Sequence, residues 1–216
     1  VWERHDVHGL VLEQERDQAP ITADMLRASE SGELVAAGTV GDALLGMVTV
    51  RYTQSNSVTL VKDGMTLGIG AGQQNRVDCV KLAAAKAATW WLRRHPDIRA
   101  LPPVPAMTRQ DRVNWQIRMA EADMTPSQRT EFRQLFRDTG PVVDSARRLG
   151  WMDGLTDLTL VSDGSLPFRD NIDHASRIGA RCVVEPGGST RSPEIEQACD
   201  EHGITLIRTG LRLFHH

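Results

Sequence analysis

Cysteine is scarce in this chain, and the scarcity excludes a good deal. Three of the 216 residues are cysteines, Cys79, Cys182 and Cys199. An odd, sparse set is no disulfide framework and makes the reducing cytoplasm the default compartment. No two share the C-x-x-C spacing of a structural zinc site, so no metal is expected. No apolar run approaches the ~20 residues of a membrane span. Glu3, Arg4 and Asp6 crowd the first residues, which lack the apolar core of a signal peptide. The chain opens on Val1-Trp2 without an initiator methionine, as a trimmed or processed chain would. Surplus positive charge is missing as well. Lys and Arg total 25 against 28 Asp and Glu, a net charge of −3, whereas a nucleic-acid binder carries a basic stripe. There is neither an internal repeat nor a low-complexity tract.

What is present suits a folded domain. Hydrophobic residues make up 40% of the chain and charged residues 25%. That length buries roughly 70% of the unfolded surface, as one large or two small domains. Residues 1–20 show no clear period. Thr22 can cap a short helix over Ala23–Leu26. Gly46–Tyr52, rich in β-branched residues, reads as a strand. Ser57–Val61 and Met65–Ile69 flank Lys62-Asp63-Gly64, a hairpin signal. Gln74–His95 reads as a helix stopped by Pro96, with Val77, Val80, Ala84, Ala87 and Trp91 on one face. Residues 97–128 hold four prolines around a short helix, and 126–138 and 141–150 look helical. The chain thus divides into 1–96, a helical linker or insertion at 97–157, and 158–216.

The last third alternates strand and helix. Strands are expected at Leu158–Val161, Arg181–Glu185 and Ile204–Ile207. Helices are expected at 168–178 and at 192–202, the latter closed by Gly203. This rhythm predicts parallel strands with crossover helices, an α/β fold. Ligands of such sheets sit at the strand C-terminal ends, here Ser162–Phe168, Pro186–Thr190 and Arg208–Arg212.

Individual motifs each allow a bland and a functional reading. Tyr52–Ser57 is either a solvated connection or a loop in which Asn56 offers an amide to a heterocycle or carboxamide. Gly68-Ile69-Gly70-Ala71-Gly72 precedes a helix but fails the G-x-G-x-x-G pattern. It is either a tight packing turn or an anion site completed by Arg76. Asp170, in Pro167-Phe168-Arg169-Asp170-Asn171, is either a first-turn acid or a carboxylate that relays a proton. Pro186-Gly187-Gly188-Ser189-Thr190 caps a helix, holds polar ligand atoms, or does both. His215-His216 are native or left from a tag.

Taken in order, the motifs resemble one family. Val7–Leu10, Tyr52–Val58, Gly68–Gln74 with Arg76, Trp90–Arg93, Pro167–Asn171, Pro186–Ser189 and Leu211–His216 are similar to the C-terminal part of AICAR transformylase. That is the formyltransferase half of a bifunctional purine-biosynthesis enzyme which also carries an IMP cyclohydrolase domain. The resemblance runs from about residue 6 to 216, is loosest over 97–157, and makes a native origin of His215-His216 the better reading. It implies a cytidine-deaminase-like layered sheet without zinc and a homodimer with sites at the subunit interface. It also implies formyl transfer from 10-formyltetrahydrofolate to the amine of AICAR (5-aminoimidazole-4-carboxamide ribonucleotide). By that resemblance Asn56, Arg76, Arg212 and Phe214 hold the nucleotide. Val77, Phe168, Asp170, Ser189 and Thr190 contact the folate, and Asn56 and Asp170 act in catalysis.

Two departures qualify what the resemblance implies. The family's catalytic Lys-His pair lies in an earlier segment, and no Lys-His dipeptide occurs in these 216 residues. Ser165 stands where the family presents an aromatic residue to the nucleotide. Formyl transfer needs aligned ligands, a base and an oxyanion donor, and this chain supplies alignment. Three readings follow: a partner or missing segment brings the Lys-His half in a homo- or hetero-oligomer; the chain alone formylates a different amine; or it is a non-catalytic folate- or nucleotide-binding module.

Overall fold

A computed structural model describes residues 2–15, 18–28, 35–136 and 145–214. Its centre is a five-stranded sheet in the order β4-β3-β5-β6-β7. Strands β3 (Val58–Lys62) and β4 (Met65–Gly70) form the expected hairpin around Asp63 and Gly64. Both turn residues adopt positive φ, 51° and 72°. Strand β5 (Leu158–Ser162) pairs antiparallel to β3, and β6 (Ala180–Glu185) and β7 (Thr205–Arg208) follow in parallel. The result is an open, mixed α/β sheet.

Side chains alternate across this sheet with the strand period of two. Leu158 and Leu160 of β5 and Val183 of β6 enter one core, under α2 (Arg76–Leu92), α7 (Asp170–Arg177) and α8 (Ser192–His202). Val161, Cys182 and Val184 enter another, under α1 (Ala37–Arg51). Each strand therefore carries apolar residues on both faces, as a strand covered on both sides must.

Helix α1 overturns the strand expected at Gly46–Tyr52. The β-branched residues there signalled a strand, but Ala43, Gly46, Met47 and Val50 are the buried ones, a helical spacing. Tertiary packing overrides the local preference. A methyl on Gly46 would meet Val161 Cγ2 at 2.3 Å, so glycine lets this helix lie directly on β5. Asp42 in the same helix accepts from Asp63 N–H at 3.0 Å and Gly64 N–H at 2.7 Å, pinning the hairpin turn.

The other differences are smaller. Residues Trp2–Val7 (β1) and Leu10–Glu15 (β2) form an antiparallel hairpin where no period was legible. Its turn, His8-Gly9, has both residues at positive φ, 52° and 81°, and Arg4 pairs with Glu13 across it at 2.6 Å. Thr22 precedes a single 3₁₀ turn, Ala23–Met25, without a side-chain cap bond. Helix α2 starts at Arg76 and is capped by Asn75. Its buried face is Cys79, Val80, Ala83, Ala87 and Leu92, so Val80 and Ala87 lie on the expected stripe while Val77, Ala84 and Trp91 are only half-buried.

Beyond α2 come α3 (Pro96–Arg99), α4 (Arg109–Glu121), α5 (Pro126–Leu135) and α6 (Ser145–Met152). Thr108 and Thr125 open α4 and α5 with reciprocal capping boxes. The part of the expected 126–138 and 141–150 helices within 137–144 lies outside the described residues. Trp115, Phe132 and Phe136 build a separate core here. Trp91 and Trp151 join it to the sheet layer, each indole N–H donating to the other's carbonyl, at 2.8 and 3.1 Å. No helix among the described residues is long and apolar enough to cross a membrane.

The glycines of Gly68-Ile69-Gly70 serve packing. A Cβ on Gly68 would lie 2.1 Å from Ala83 O, and one on Gly70 2.0 Å from Cys79 O. Both hydrogens face the α2 backbone, which settles onto β4 only because nothing stands between. Gly68→Ala is therefore expected to destabilise the chain by about 1–3 kcal/mol. Gly41→Ala, on the exposed side of α1 with nothing near its Cβ position, should stabilise it by about 0.5–1 kcal/mol. Urea unfolding of both variants checks the pair; coincident midpoints contradict this packing account.

Candidate functional site

Five segments meet at one end of the sheet because the strands bring them there. Asn56 lies two residues before β3 and Arg76 follows β4. Asp163, Pro186–Thr190 and Thr209–Phe214 follow the parallel strands β5, β6 and β7. The antiparallel register puts Val58 opposite both Gly70 and Ser162, which fixes the first three at the same edge. Backbone hydrogen bonds lace the loops together. Gly72 N–H donates to Gln54 O at 2.7 Å, Asp163 N–H to Ser57 O at 3.1 Å, Leu213 N–H to Asp163 O at 2.9 Å and Gly210 N–H to Pro186 O at 3.1 Å.

A buried carboxylate holds the centre. Asp163 has no exposed side chain. It accepts from the Ser55 hydroxyl at 2.5 Å, Ser57 N–H at 3.0 Å and Arg76 Nη2 at 3.0 Å. Arg76, with 11% of its side chain exposed, also donates from Nη1 to Asn56 Oδ1 at 2.6 Å. Asn56 Nδ2 in turn donates to Gln73 O at 3.1 Å. The Phe214 ring flanks the guanidinium, its centroid 5.4 Å from Cζ. Asn56, Arg76 and Phe214, named from sequence, thus form one cluster with a residue that sequence reasoning passed over. The signal for Asp163 was its place: an acid ending a fully buried strand and followed by glycine. Gly164 leaves room for both side chains where they stand, since a Cβ there would lie 1.9 Å from Arg76 Nη2 and 2.4 Å from Phe214 Cε1.

The remaining candidates surround this cluster. Arg212 is exposed, and a methyl on Gly188 would stand 3.9 Å from its Nη2, so its guanidinium lies by the Gly187-Gly188 turn. Ser165 donates from its hydroxyl to Gly187 O, joining the β5 and β6 loops. The exposed Phe168 ring lies 5.1 Å from Arg191 Cζ. Asp170 is the exposed first residue of α7, outside the hydrogen-bonded cluster. Ser189 Oγ accepts from Arg191 N–H at 3.2 Å and turns the chain into α8, whereas Thr190 is exposed. Val77 is half-buried beside Arg76. His215 and His216 lie outside the described residues. Among the described residues, no three His, Cys, Asp or Glu side chains are placed to hold a metal ion. A cleft of about 370 Å³ bordered by Thr39, Asp157, Arg181 and Thr205 lies at the opposite strand ends, away from these loops.

Two titrating groups take their character from burial. The Cys79 thiol, donating to Asn56 O at 3.2 Å, is pushed up to about 11, chiefly by burial and further by Asp163. It is a packing group rather than a nucleophile. Glu185, at the end of β6, is buried and accepts from Leu166 N–H at 2.6 Å, while Arg208 Nε approaches it to 3.5 Å. Burial raises its carboxyl above the usual range, opposed by the Leu166 bond and Arg208.

A raised folded-state value means that the unfolded chain ionises first as pH rises. Glu185 therefore contributes most below its ordinary value of 4.5, and that contribution is lost as pH climbs through the folded value. Glu185→Gln should consequently gain stability on the parent between pH 4 and pH 7, with the difference growing as pH rises. Unfolding curves across that range check it, and a pH-independent difference contradicts it.

Residues 2–86, from β1 into α2 with Asn56 and Arg76 included, match the model of the AICARFT/IMPCHase bienzyme family, a match consistent with the resemblance that the sequence motifs carry.

Proposed function

We propose that this chain is the nucleotide- and folate-positioning part of a formyltransferase of purine biosynthesis. In this reading it corresponds to the C-terminal part of the transformylase region, with cytidine-deaminase-like layering, no zinc and a cytoplasmic setting. The observation that carries the reading is the convergence of Asn56, Arg76 and Phe214 around Asp163, with Arg212 on the neighbouring β7 loop.

The charges suggest how the nucleotide lies. Arg76 is paired with Asp163 and is a poor phosphate anchor. Arg212, exposed by the Gly187-Gly188 turn, is the better partner for a phosphate. The neutral, amide-bearing end at Asn56 suits the carboxamide. Phe168, just before α7, and Asp170, at its start, offer an exposed ring and an accepting carboxylate, which suit a pterin's flat face and its N–H edge. Val77, Ser189 and Thr190 complete that side. When bound, 10-formyltetrahydrofolate supplies the formyl carbon. The chain's residues orient the two ligands, Asn56 by its amide and Asp170 by its carboxylate. The base and oxyanion donor come from a Lys-His pair outside these 216 residues, on a further segment in a homodimer or on a different polypeptide in a hetero-oligomer. One observation favours a second reading, a different amine acceptor: Ser165 offers the nucleotide no aromatic face and spends its hydroxyl on Gly187 O.

Calorimetric titration of the chain with AICAR and with a folate analogue tests the binding roles. Arg212→Ala should weaken AICAR by about tenfold to a hundredfold and leave the folate analogue unchanged; Asp170→Ala should do the reverse. Unchanged affinities in both variants defeat the assignment. In turnover assays the chain alone should formylate AICAR poorly. Adding a polypeptide that carries the Lys-His segment should raise the rate by about 10²-fold or more, and no rise even with both ligands bound argues for the different amine.

A further inference from the structure

We propose that Asp163 sets the ligand selectivity of the nucleotide end of this site. Its pairing with Arg76 presents a neutral, hydrogen-bonding face that takes an uncharged carboxamide in preference to a carboxylate on the same ring. The inference rests on the nucleotide reading above and gives Asp163 a role that the resemblance does not assign.

An unpaired arginine fork selects carboxylates, because it donates two parallel bonds to two anionic oxygens. Arg76 is not so placed. Its Nη2 is taken by Asp163 at 3.0 Å and its Nη1 by Asn56 at 2.6 Å. The guanidinium has nowhere else to settle, since Gly164 and the Phe214 ring close its other side. A ligand carboxylate brought against Arg76 would also stand near the buried Asp163 carboxylate, where like charges repel most. A carboxamide meets no such repulsion. Its oxygen accepts from a remaining guanidinium N–H, and its amine donates to the second lone pair of Asn56 Oδ1. Ser55 and Ser57 hold Asp163 from the far side, so the carboxylate keeps its place whether or not ligand is bound.

The test is the ratio of two affinities, measured by calorimetry on the full chain. The probes are AICAR and its 4-carboxylate counterpart. The parent chain should prefer the carboxamide by about tenfold or more. Asp163→Asn leaves Arg76 an uncompensated cation and should move the ratio toward the carboxylate by a similar factor. The double variant R76Q/D163N removes both charges and should restore the carboxamide preference at lower overall affinity. A loss of structure alone would weaken both nucleotides equally and leave the ratio where it was. Should Asp163→Asn fail to fold, the parent ratio and the double variant decide. Equal affinities in the parent, or an unmoved ratio in Asp163→Asn, overturn the role of Asp163 while the nucleotide reading stands. Binding of neither probe by the parent ends the nucleotide reading, and this inference with it.

Discussion

The Asp163 carboxylate is where the sheet-end loops become one structure. Burying a charge costs several kcal/mol unless it is paired and its remaining lone pairs are filled. Here the filling is thorough, with a guanidinium, a hydroxyl and a backbone N–H on one carboxylate. Those donors come from two parts of the chain, the turn before β3 and the first turn of α2, and they meet an acid that follows a third, β5. Satisfying the charge therefore requires all three to be assembled at once. The backbone bond from Leu213 to Asp163 O adds the β7 loop to the same knot. Removing the carboxylate would leave Arg76 buried without its counter-charge, which is why the site's geometry depends on this acid more than on any exposed residue.

Much of the sheet could be read from the sequence, because its signals are local. The Asp63-Gly64 turn, the Gly203 cap and the alternation of β5 to β7 with helices all reside in neighbouring residues, whereas α2, expected to run to His95 and stop at Pro96, ends at Leu92 and Pro96 opens α3. Helix α1 could not be read that way. Its valines and threonines favour a strand in isolation, and its helical state comes from Gly46 packing on Val161, a partner more than a hundred positions away. The β1–β2 hairpin was hidden for another reason. Charged pairs such as Arg4 and Glu13 blur its alternation, and its turn is built on His8 rather than the usual asparagine or aspartate.

The same division runs through the site. Residues that offer a chemically suggestive group on a loop, such as Asn56, Arg76 and Arg212, could be singled out by type and position. Asp163 offered only its place before Gly164 as a signal, because an acid at a strand end is ordinarily a solvated residue, and the fold shows this one sealed from solvent. The bland and functional readings of the Gly68–Gly72 stretch turn out to concern different residues. Gly68 and Gly70 pack against α2, and Arg76 after them joins the cluster.

The protonation chemistry of these loops explains why a second polypeptide segment belongs in the proposal. A base for an aromatic amine needs a lone pair that is free and ready to take a proton near neutral pH. Asp163 already accepts from three donors, is buried and is paired with Arg76. Cys79 stays a thiol, its value near 11. Glu185 is buried behind Leu166 and Arg208, braces the β5 and β7 loops, and faces away from solvent. Asn56 and Arg76 spend their strongest hydrogen bonds on the protein itself. What remains accessible at this edge, Arg212, Phe214, Phe168 and Asp170, is equipped to grip and align. In the proposed reading, such a surface contributes orientation and leaves the proton transfer to groups brought from outside these loops.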